Sequence, residues 1–564
     1  MAAEGGTGVL GRMLGPYGVL RGNRNLQLLF GGQVVSTFGD WLYVLALGIL
    51  AYEITSSATV VAVLTFARLL PYAVLLPFSG ILADRGNRKV LMISADLGRG
   101  ACMFGLLFAG TEGTLWIAYP LVFLATVFSS LFKPAMNSVL PALVGDEERL
   151  GEANGIWAQM DSVSFVLGPA LGGVLALLGA PELAFVINGA TFLVSAATLL
   201  FIRIPPRKTA EPAEGDEEEG WLSETLAGFR FLFRENDGVL AALTVAFVGL
   251  TFTGGGIWTL ILVLSDEAFG LGTEGSGFLN SAYGAGGILG GLAAGYLASK
   301  IRLGPALIWS TAATSVVFLF LGITPAGVLP FVILFVVGVL DIMVDVNGMT
   351  IIQTGTPEGL LGRVFGAFDG VLILAMLMGA LIVGPLIELL GARMTTVVFG
   401  VVGLLIFLAC LPRLRKMESV LGVRMFVRKV PVLSGLSHAV LEDLASRMTL
   451  EKVPDGTAVV SQGEVGDRLY IVKDGEAEVV ARGEDGEEKE LARLSKNDYF
   501  GEIALLRDVP RTATVRTHGV MELYSLQRKD FQKLLESSEK LKSAMTGTSD
   551  ARYVETQNRL LLRR

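Results

Sequence analysis

Residues 397–416 read VVFGVVGLLIFLACLPRLRK. From Val397 to Leu411 no side chain carries a charge, and Arg413, Arg415 and Lys416 follow at once. An apolar run of about 20 residues matches the roughly 30 Å hydrocarbon core of a bilayer, and basic residues at its end stay in water. Before this point the chain repeats the same kind of run many times. After it, about a third of the residues are charged, as on a water-facing surface. The stretch is therefore a border between a membrane domain and a second domain built for water.

The bulk numbers agree. The chain has 564 residues, of which 52% are hydrophobic and 17% charged, with a mean hydropathy of +0.59. That is too apolar for an ordinary soluble enzyme. The net charge of -8 says little about orientation, which follows where Lys and Arg sit. Cys102 and Cys410 both fall in apolar spans and read as small packing residues, so no disulfide framework is expected. The Gly-rich N-terminus MAAEGGTGVLGRMLGPYGVL lacks the pattern of a cleavable signal peptide.

Twelve spans are expected, near 26–52, 58–82, 90–110, 115–137, 152–178, 181–203, 238–265, 276–299, 304–322, 327–352, 364–390 and 394–412. Arg21 and Arg24, Arg85, Arg88 and Lys89, Arg203, Arg207 and Lys208, Lys300 and Arg302, and Arg413 to Lys416 all fall on one side. The loops on the other side (GTEGT, GAPE, SDEAFGLGTE, ITPAG) are nearly free of basic residues. The positive-inside rule then predicts cytoplasmic termini. Residues 204–237 are Pro-rich and acidic at first, hence a linker, and turn amphipathic from Trp221 to Phe233, a pattern suited to a membrane surface.

The expected organisation is a segment 1–25, a first half 26–203, the linker 204–237, a second half 238–412, a connector 413–429, a soluble domain 430–545 and a tail 546–564. The halves echo each other. Gly80-Ile81-Leu82-Ala83-Asp84-Arg85 leaves the second span and Gly295-Tyr296-Leu297-Ala298-Ser299-Lys300 the eighth. Gly168-Pro169 in the fifth span matches Gly384-Pro385 in the eleventh. Six plus six repeated helices suit a machine that rocks around a midplane site.

These features resemble the major facilitator superfamily, nearest its bacterial drug and siderophore exporter-like members. GILADRGNRK (80–89) is similar to the family's loop signature, carried by Gly80, Asp84, Arg85, Arg88 and Lys89, with Asn87 replacing its second glycine. The resemblance implies that this loop steadies one conformation of a transport cycle. Gly155, Ser164, Gly168, Pro169, Gly172 and Gly173 resemble the antiporter signature, with Ser164 where a glycine is usual. Small residues pack helices closely and Pro169 bends the helix, so plain packing is the competing reading.

Ionisable residues deep in spans are costly and face a cavity or a partner. Asp40 and Arg68 sit at similar depth and are expected as an ion pair, structural or functional. Asp96 and Arg99 are read as a local pair. Asp341 and Asp345 are i, i+4 neighbours on one helix face, where mutual repulsion favours sharing a proton. They are the leading candidates for proton coupling, with Asp161 and Asp369 behind them. The fourth span lacks the membrane-buried arginine that many proton antiporters of the superfamily carry. No GxxxxGK[ST] phosphate loop occurs, which argues against ATP-driven transport.

The tail opens with an amphipathic pattern, PVLSGLSHAVLEDLASRM, and continues with strand-like alternations at RLYIV, EAEVVAR, TATVRT and MELYSL. Asp474-Gly475 and Asp485-Gly486 are expected to be hairpin turns. RKDFQKLLESSEKLKSAM is again helical. The fold class is thus an all-α polytopic membrane domain of 12 transmembrane helices followed by an α+β domain with a β-roll.

Within that domain, residues 500–517 read FGEIALLRDVPRTATVRT. Gly501 admits close backbone approach, and Arg511 offers a charge-assisted fork to phosphate oxygens. Glu502 would repel phosphate but accept from a hydroxyl. The stretch strongly resembles the phosphate-binding cassette of cyclic nucleotide-binding domains, as in the catabolite activator protein, kinase regulatory subunits and nucleotide-gated channels. The resemblance covers about 430–545. It implies backbone contacts from Gly501, Ile503 and Ala504, a ribose contact from Glu502, a cyclic phosphate on Arg511, and a pocket completed by Thr512 and Ala513. Tyr553 and Leu560 to Leu562 are offered as a lid over the base.

The expectation is a bacterial-type inner-membrane secondary transporter with no enzymatic step. It is an efflux antiporter of small organic molecules, regulated by cyclic AMP or cyclic GMP on the cytoplasmic side, with H+ a candidate coupling ion. A transport-dead membrane receptor for the nucleotide, or an exporter of the nucleotide itself, are the alternatives. No cofactor, metal site or nucleic-acid partner is expected. The scarcity of buried cations, with Arg68 the main one, disfavours an anionic substrate.

Overall fold

The computed structural model describes residues 15–415 except 86, 146, 205–220, 235–237, 299–302 and 357–359. It then describes 423, 426, 427, 430, 431, 433, 444 and 447, and 448–561 except 484–486 and 538. Contacts divide the chain into two compact units, Met1–Met349 with Gly362–Pro412, and Thr350–Leu361 with Arg413–Arg564.

The membrane unit contains helices α1 (Arg24–Thr55), α2 (Ala58–Arg85), α3 (Arg88–Leu106), α4 (Ala118–Val144), α5 (Glu147–Leu177) and α6 (Leu183–Phe201). After the linker come α7 (Trp221–Arg234), α8 (Val239–Val263), α9 (Gly275–Ala298), α10 (Leu303–Ile323), α11 (Leu329–Gly355), α12 (Leu361–Leu390) and α13 (Ala392–Leu414). A helix stands at each of the twelve expected spans, and among the described residues 11 are long and apolar enough to cross a membrane. The exception is α9. Its many glycines, with Asn280, Ser281 and Tyr283, dilute its hydropathy.

Those glycines have a packing purpose. A Cβ on Gly277 of α9 would lie 2.4 Å from the Pro169 carbonyl of α5, and one on Gly173 of α5 would lie 2.6 Å from the Glu274 carbonyl. A Cβ on Gly384 of α12 would lie 2.5 Å from Thr59 Cα of α2. Backbone therefore meets backbone where the two halves touch, at the end of the unit that carries few basic residues. Polar ties cross the same end. Tyr52 Oη donates to Glu267 (2.9 Å) and Thr273 Oγ1 to Glu53 (2.7 Å), while Glu388 accepts from Ser57 Oγ (2.6 Å) and the Thr59 amide (3.2 Å). Behind them lies a buried apolar cluster that includes Leu50, Val61, Leu260, Leu264 and Ile387.

The helix α7 was expected to lie on a membrane surface. It buries Phe231 and Leu232 within the protein and leaves Phe233 exposed. A Cβ on Gly228 would sit 2.1 Å from the Arg363 carbonyl, so the helix backs onto α12. Residues 205–220, the acidic part of the linker, lie outside the described residues.

The second unit holds strands β1 (Thr449–Val453), β2 (Ala458–Val460), β3 (Arg468–Arg482), β4 (Glu488–Leu494) and β5 (Tyr499–Phe500). The short helix α14 (Glu502–Arg507), strand β6 (Thr514–Gln527), and helices α15 (Arg528–Ser537) and α16 (Glu539–Leu561) follow. The six strands are antiparallel in the order β1-β6-β3-β4, with β2 also on β6 and β5 on β3. The four alternations seen in the sequence fuse into two long strands. Asp474-Gly475, expected as a hairpin turn, lies inside β3, where the register against β6 shifts on both sides of Asp474. Gly475 has φ 96°, which a glycine adopts freely in a bulge as well as in a turn. Pairing with β6 resumes beyond the shift, from Glu476 opposite His518 to Val480 opposite Thr514. Asp485-Gly486 lies outside the described residues, between the antiparallel β3 and β4. Alternation sorts the sheet into two faces. Tyr470, Val472 and Leu523 point into the roll, and Leu469, Ile471 and Tyr524 pack with Phe531 and Leu534 of α15.

The seam at Gly277 gives a first prediction. Gly277→Leu cannot pack against Pro169 and is expected to favour the conformation in which that end opens. In a chain with Cys102 and Cys410 replaced by serine, Val61→Cys is buried at the sealed end and should react slowly with a membrane-impermeant maleimide. Adding Gly277→Leu should raise that labelling several-fold; unchanged labelling would show that the seam does not hold the end shut.

Candidate functional site

In the C-terminal unit, β3, β4 and β6 wall a cavity of about 390 Å³, within the range of small-molecule sites. All seven cassette residues, Gly501, Glu502, Ile503, Ala504, Arg511, Thr512 and Ala513, line it. Val460, Val479 and Leu494 supply apolar wall. Gly501 follows β5 with φ 91°, and a Cβ there would lie 2.6 Å from Arg511 Nη1. A side chain at this position would therefore be strained and would displace the arginine. Arg511 is 5% exposed. Its Nη1 donates to the Gly501 carbonyl (2.9 Å) and its Nη2 to the Arg468 carbonyl (2.8 Å), which sets the guanidinium facing the cavity. Burial lowers its pKa from the ordinary arginine value, and the neighbouring acids oppose that.

Glu502 opens α14 and is 2% exposed. Burial pushes its carboxyl above the usual glutamate range, and Arg552 pulls the other way. Arg552 Nη1 donates to Glu502 Oε1 (2.9 Å) and to the Tyr499 carbonyl (2.8 Å), with its guanidinium 4.7 Å from the Tyr499 ring centroid. It comes from α16, which also presents Glu555 and Thr556 to the cavity. Tyr553, offered above as the lid, stacks instead on Arg507 at 4.2 Å, beside an Arg507–Asp550 ion pair of 2.6 Å. Helical period explains the correction. Residues 552, 555 and 556 share one face of α16, and 553 points off it. Of the other lid residues, Leu560 and Leu561 have no described side chains, and Leu562 lies outside the described residues.

The membrane unit carries two adjoining cavities. One of about 950 Å³ is mostly apolar, lined by α1, α5, α9 and α11 through Phe38, Trp41, Phe165, Tyr283 and Ile342. The other, of about 340 Å³, is polar and lined by Gln33, Asp40, Arg68, Tyr72, Arg99 and Lys133. They share Trp41 and Asp161, and Trp41 Nε1 donates to Asp161 (3.2 Å). Trp41 meets Phe165 edge-on at 4.6 Å and stacks on Trp258 at 5.8 Å. Both cavities are lined by residues near the middle of their helices, such as Trp41 of α1, Arg68 of α2, Arg99 of α3, Phe165 of α5 and Ile342 of α11.

The other expected residues fall as follows. Asp40 does not pair with Arg68. It lies 3.9 Å from Arg99 and accepts from Asn188 at 3.4 Å. Arg99 also bonds Asp96, as the local reading had it, and Asp96 accepts from Ser195 at 2.7 Å. Phe132 and Phe192 sandwich the Arg99 guanidinium at 4.5 and 4.3 Å. This web pulls Asp40 toward α3, which residue depth alone could not reveal. Asp341 accepts from Tyr283 Oη at 2.9 Å, tying α11 to α9.

The side chains of Gly80, Asp84 and Arg85 lie outside the described residues. Arg88 donates to the Ser138 carbonyl (3.1 Å), and Lys89 Nζ donates to the Leu200 and Ile202 carbonyls (2.7 and 2.9 Å) at the end of α6. Asn87, the departure from the family glycine, caps α3 by accepting from the Lys89 and Val90 amides. In the antiporter-like motif Gly168, Gly172 and Gly173 serve close packing against α1 and α9, and Ser164 is buried. A Cβ on Gly155 would meet nothing within 4 Å.

Sequence reading missed Arg552, Glu555 and Thr556. Their signal is present but faint: two pocket-facing polar residues three and four positions after an arginine, in a helix the sequence shows to be polar nearly all round. It also missed the Trp41–Phe165–Trp258 group, whose members come from three distant helices.

The comparisons agree with this architecture. Residues 29–377 match the Major Facilitator Superfamily model, and residues 450–538 match the cyclic nucleotide-binding domain model. An uncharacterized MFS-type transporter, YfiS, of Bacillus subtilis (strain 168) is 30% identical over 392 residues, 68% of this chain and 91% of that protein. The enterobactin exporter EntS of Escherichia coli O1:K1 / APEC is 30% identical over 326 residues, 56% of this chain and 73% of that protein. The cAMP-dependent protein kinase regulatory subunit of Yarrowia lipolytica (strain CLIB 122 / E 150) is 44% identical over 110 residues. That match spans 20% of this chain and 28% of the kinase subunit. With its sealed seam, its paired helical halves and its appended nucleotide pocket, the chain belongs to the major facilitator superfamily and carries a C-terminal cyclic nucleotide-binding domain.

Proposed function

We propose that this protein is an efflux antiporter of small organic molecules whose activity is regulated by a cyclic nucleotide on the cytoplasmic side. The observation that carries the reading is a cavity between two helical halves, closed at one end, in the same chain as a complete phosphate cassette. Lys and Arg crowd the loops at the end opposite the glycine seam, which supports an inner-membrane orientation with cytoplasmic termini. The likeness to a cAMP-dependent regulatory subunit favours cyclic AMP over cyclic GMP as the ligand.

In this reading Arg511 holds the cyclic phosphate and the ribose approaches Glu502. Ribose and Arg552 then compete for one carboxylate, so nucleotide binding loosens α16. A ligand shifts a transporter only by its differential affinity for the two states, typically about 1 to 3 kcal/mol, or about five- to 150-fold. Protein reconstituted in proteoliposomes should change its substrate flux within that range when cyclic AMP reaches the domain. Arg511→Ala removes a charge-assisted contact of about 1.5 to 3 kcal/mol. It should weaken nucleotide binding at least about tenfold by calorimetry and abolish the effect on flux. Flux indifferent to both nucleotides would overturn the regulatory half of the reading.

The nucleotide site has its own pH signature. Only ionised Glu502 accepts freely from a ribose hydroxyl, and burial raises its pKa. Nucleotide affinity should therefore fall as pH drops, beginning above the ordinary glutamate range, and Glu502→Gln should bind more weakly with a flat profile. Calorimetry across pH 4 to 8 checks this.

Proton coupling is assigned to Asp341 and Asp345. Flux in the wild type should depend on pH, and Asp341→Asn or Asp345→Asn should flatten that dependence. Unchanged profiles in both variants would exclude the pair.

A further inference from the structure

We infer that the paired cavities of the membrane unit bind organic anions built on an aromatic body. The inference names the cargo of the transporter proposed above and rests on that reading for its transport half.

The apolar cavity supplies the seat for the body. Trp41, Phe165 and Tyr283 form one wall, with Phe165 in edge contact with Tyr283 at 5.8 Å and Trp258 stacked behind Trp41. Aromatic pairs favour offset and edge geometries, so a flat ring entering here finds complementary faces and edges. Val34, Val163 and Leu292 offer exposed apolar surface around it.

The polar cavity supplies the seat for the charge through two cations that line it. Its carboxylates are already served within the protein. Asp161 accepts from Trp41, and Asp40 has Asn188 and Arg99. Arg99 is in turn committed to Asp96 and two aromatic rings. Arg68 of α2 and Lys133 of α4 also line this cavity, and neither forms a hydrogen bond or ion pair with a described residue. Arg68 is half-buried and Lys133 exposed, and an acceptor-rich group on a ligand can take charge-assisted hydrogen bonds from both in place of solvent. A carboxylate or sulfonate fits; an ammonium would meet Arg68 and Lys133, and the carboxylates it could pair with already accept hydrogen bonds. Trp41 stands at the junction, so the ring and the charge of one molecule can occupy both cavities at once. This reverses the sequence expectation of a non-anionic substrate, which rested on the scarcity of buried cations and counted Arg68 as the main one.

The test uses the full-length protein in detergent and equilibrium dialysis with four probes. These are naphthalene-2-sulfonate, 2-naphthylmethanol, 2-naphthylmethylammonium and hexane-1-sulfonate. Naphthalene-2-sulfonate is expected to bind tightest. Arg68→Gln should weaken it about tenfold while leaving 2-naphthylmethanol unchanged, and Arg68→Lys should retain most of the affinity. Lys133 is exposed, so Lys133→Gln should fold normally and should also weaken the sulfonate alone. Tighter binding of the ammonium, or wild-type sulfonate affinity in both glutamine variants, would overturn the proposal. Sulfonate binding with this pattern but without flux in proteoliposomes would sustain the site and remove the transport reading instead.

Discussion

The membrane unit depends on contact between helix backbones at one end. Where α5 meets α9 and α12 meets α2, glycines remove the Cβ atoms that would hold the halves apart. Lipid offers no hydrophobic drive for helices to associate, so this close packing and the polar ties at Tyr52, Glu53 and Glu388 must hold the seam. With one end shut, the apolar cavity opens between the halves at mid-helix, and the polar cavity adjoins it within the first half. The same glycines that dilute the hydropathy of α9 let it pack at the seam.

The second unit relies on a comparable economy of atoms. Gly501 has no side chain, so Arg511 can lie across it and be fixed by two backbone carbonyls. The arginine is thereby placed before any phosphate arrives, which cuts the ordering cost of binding. Glu502 is the less settled partner. It is buried and held by an arginine from a helix about 50 positions further along the chain. The carboxylate thus faces the pocket while bonded to α16.

The two units follow different rules for charge. In the membrane unit the buried charges form a web around Arg99, in which two carboxylates share one guanidinium flanked by rings. Breaking such a web by removing one member leaves an uncompensated charge in a poor solvent, which is far costlier than the loss of a surface pair. In the second unit most ion pairs are partly exposed, as for Arg482 with Glu488 and Arg493 with Glu490, and contribute little individually.

Much of this was legible in the chain. Hydrocarbon demands helices of a fixed length, so apolar runs reveal the spans, and basic loops reveal their direction. The cassette from Gly501 to Ala513 was equally legible, because its chemistry is local: one turn, one glycine, one carboxylate and one guanidinium within a few residues. One local signal misled: Asp474-Gly475 became a bulge because β6 pairs on both sides of it. Contacts between distant helices were not legible at all. Asp40 chose Arg99 over Arg68, Arg552 rather than Tyr553 faced the nucleotide pocket, and Trp41 came to join an apolar cavity to a charged one. Solvent and backbone geometry act on each segment separately and so are written along the sequence. Which side chains satisfy one another depends on distances that exist only once the helices have packed.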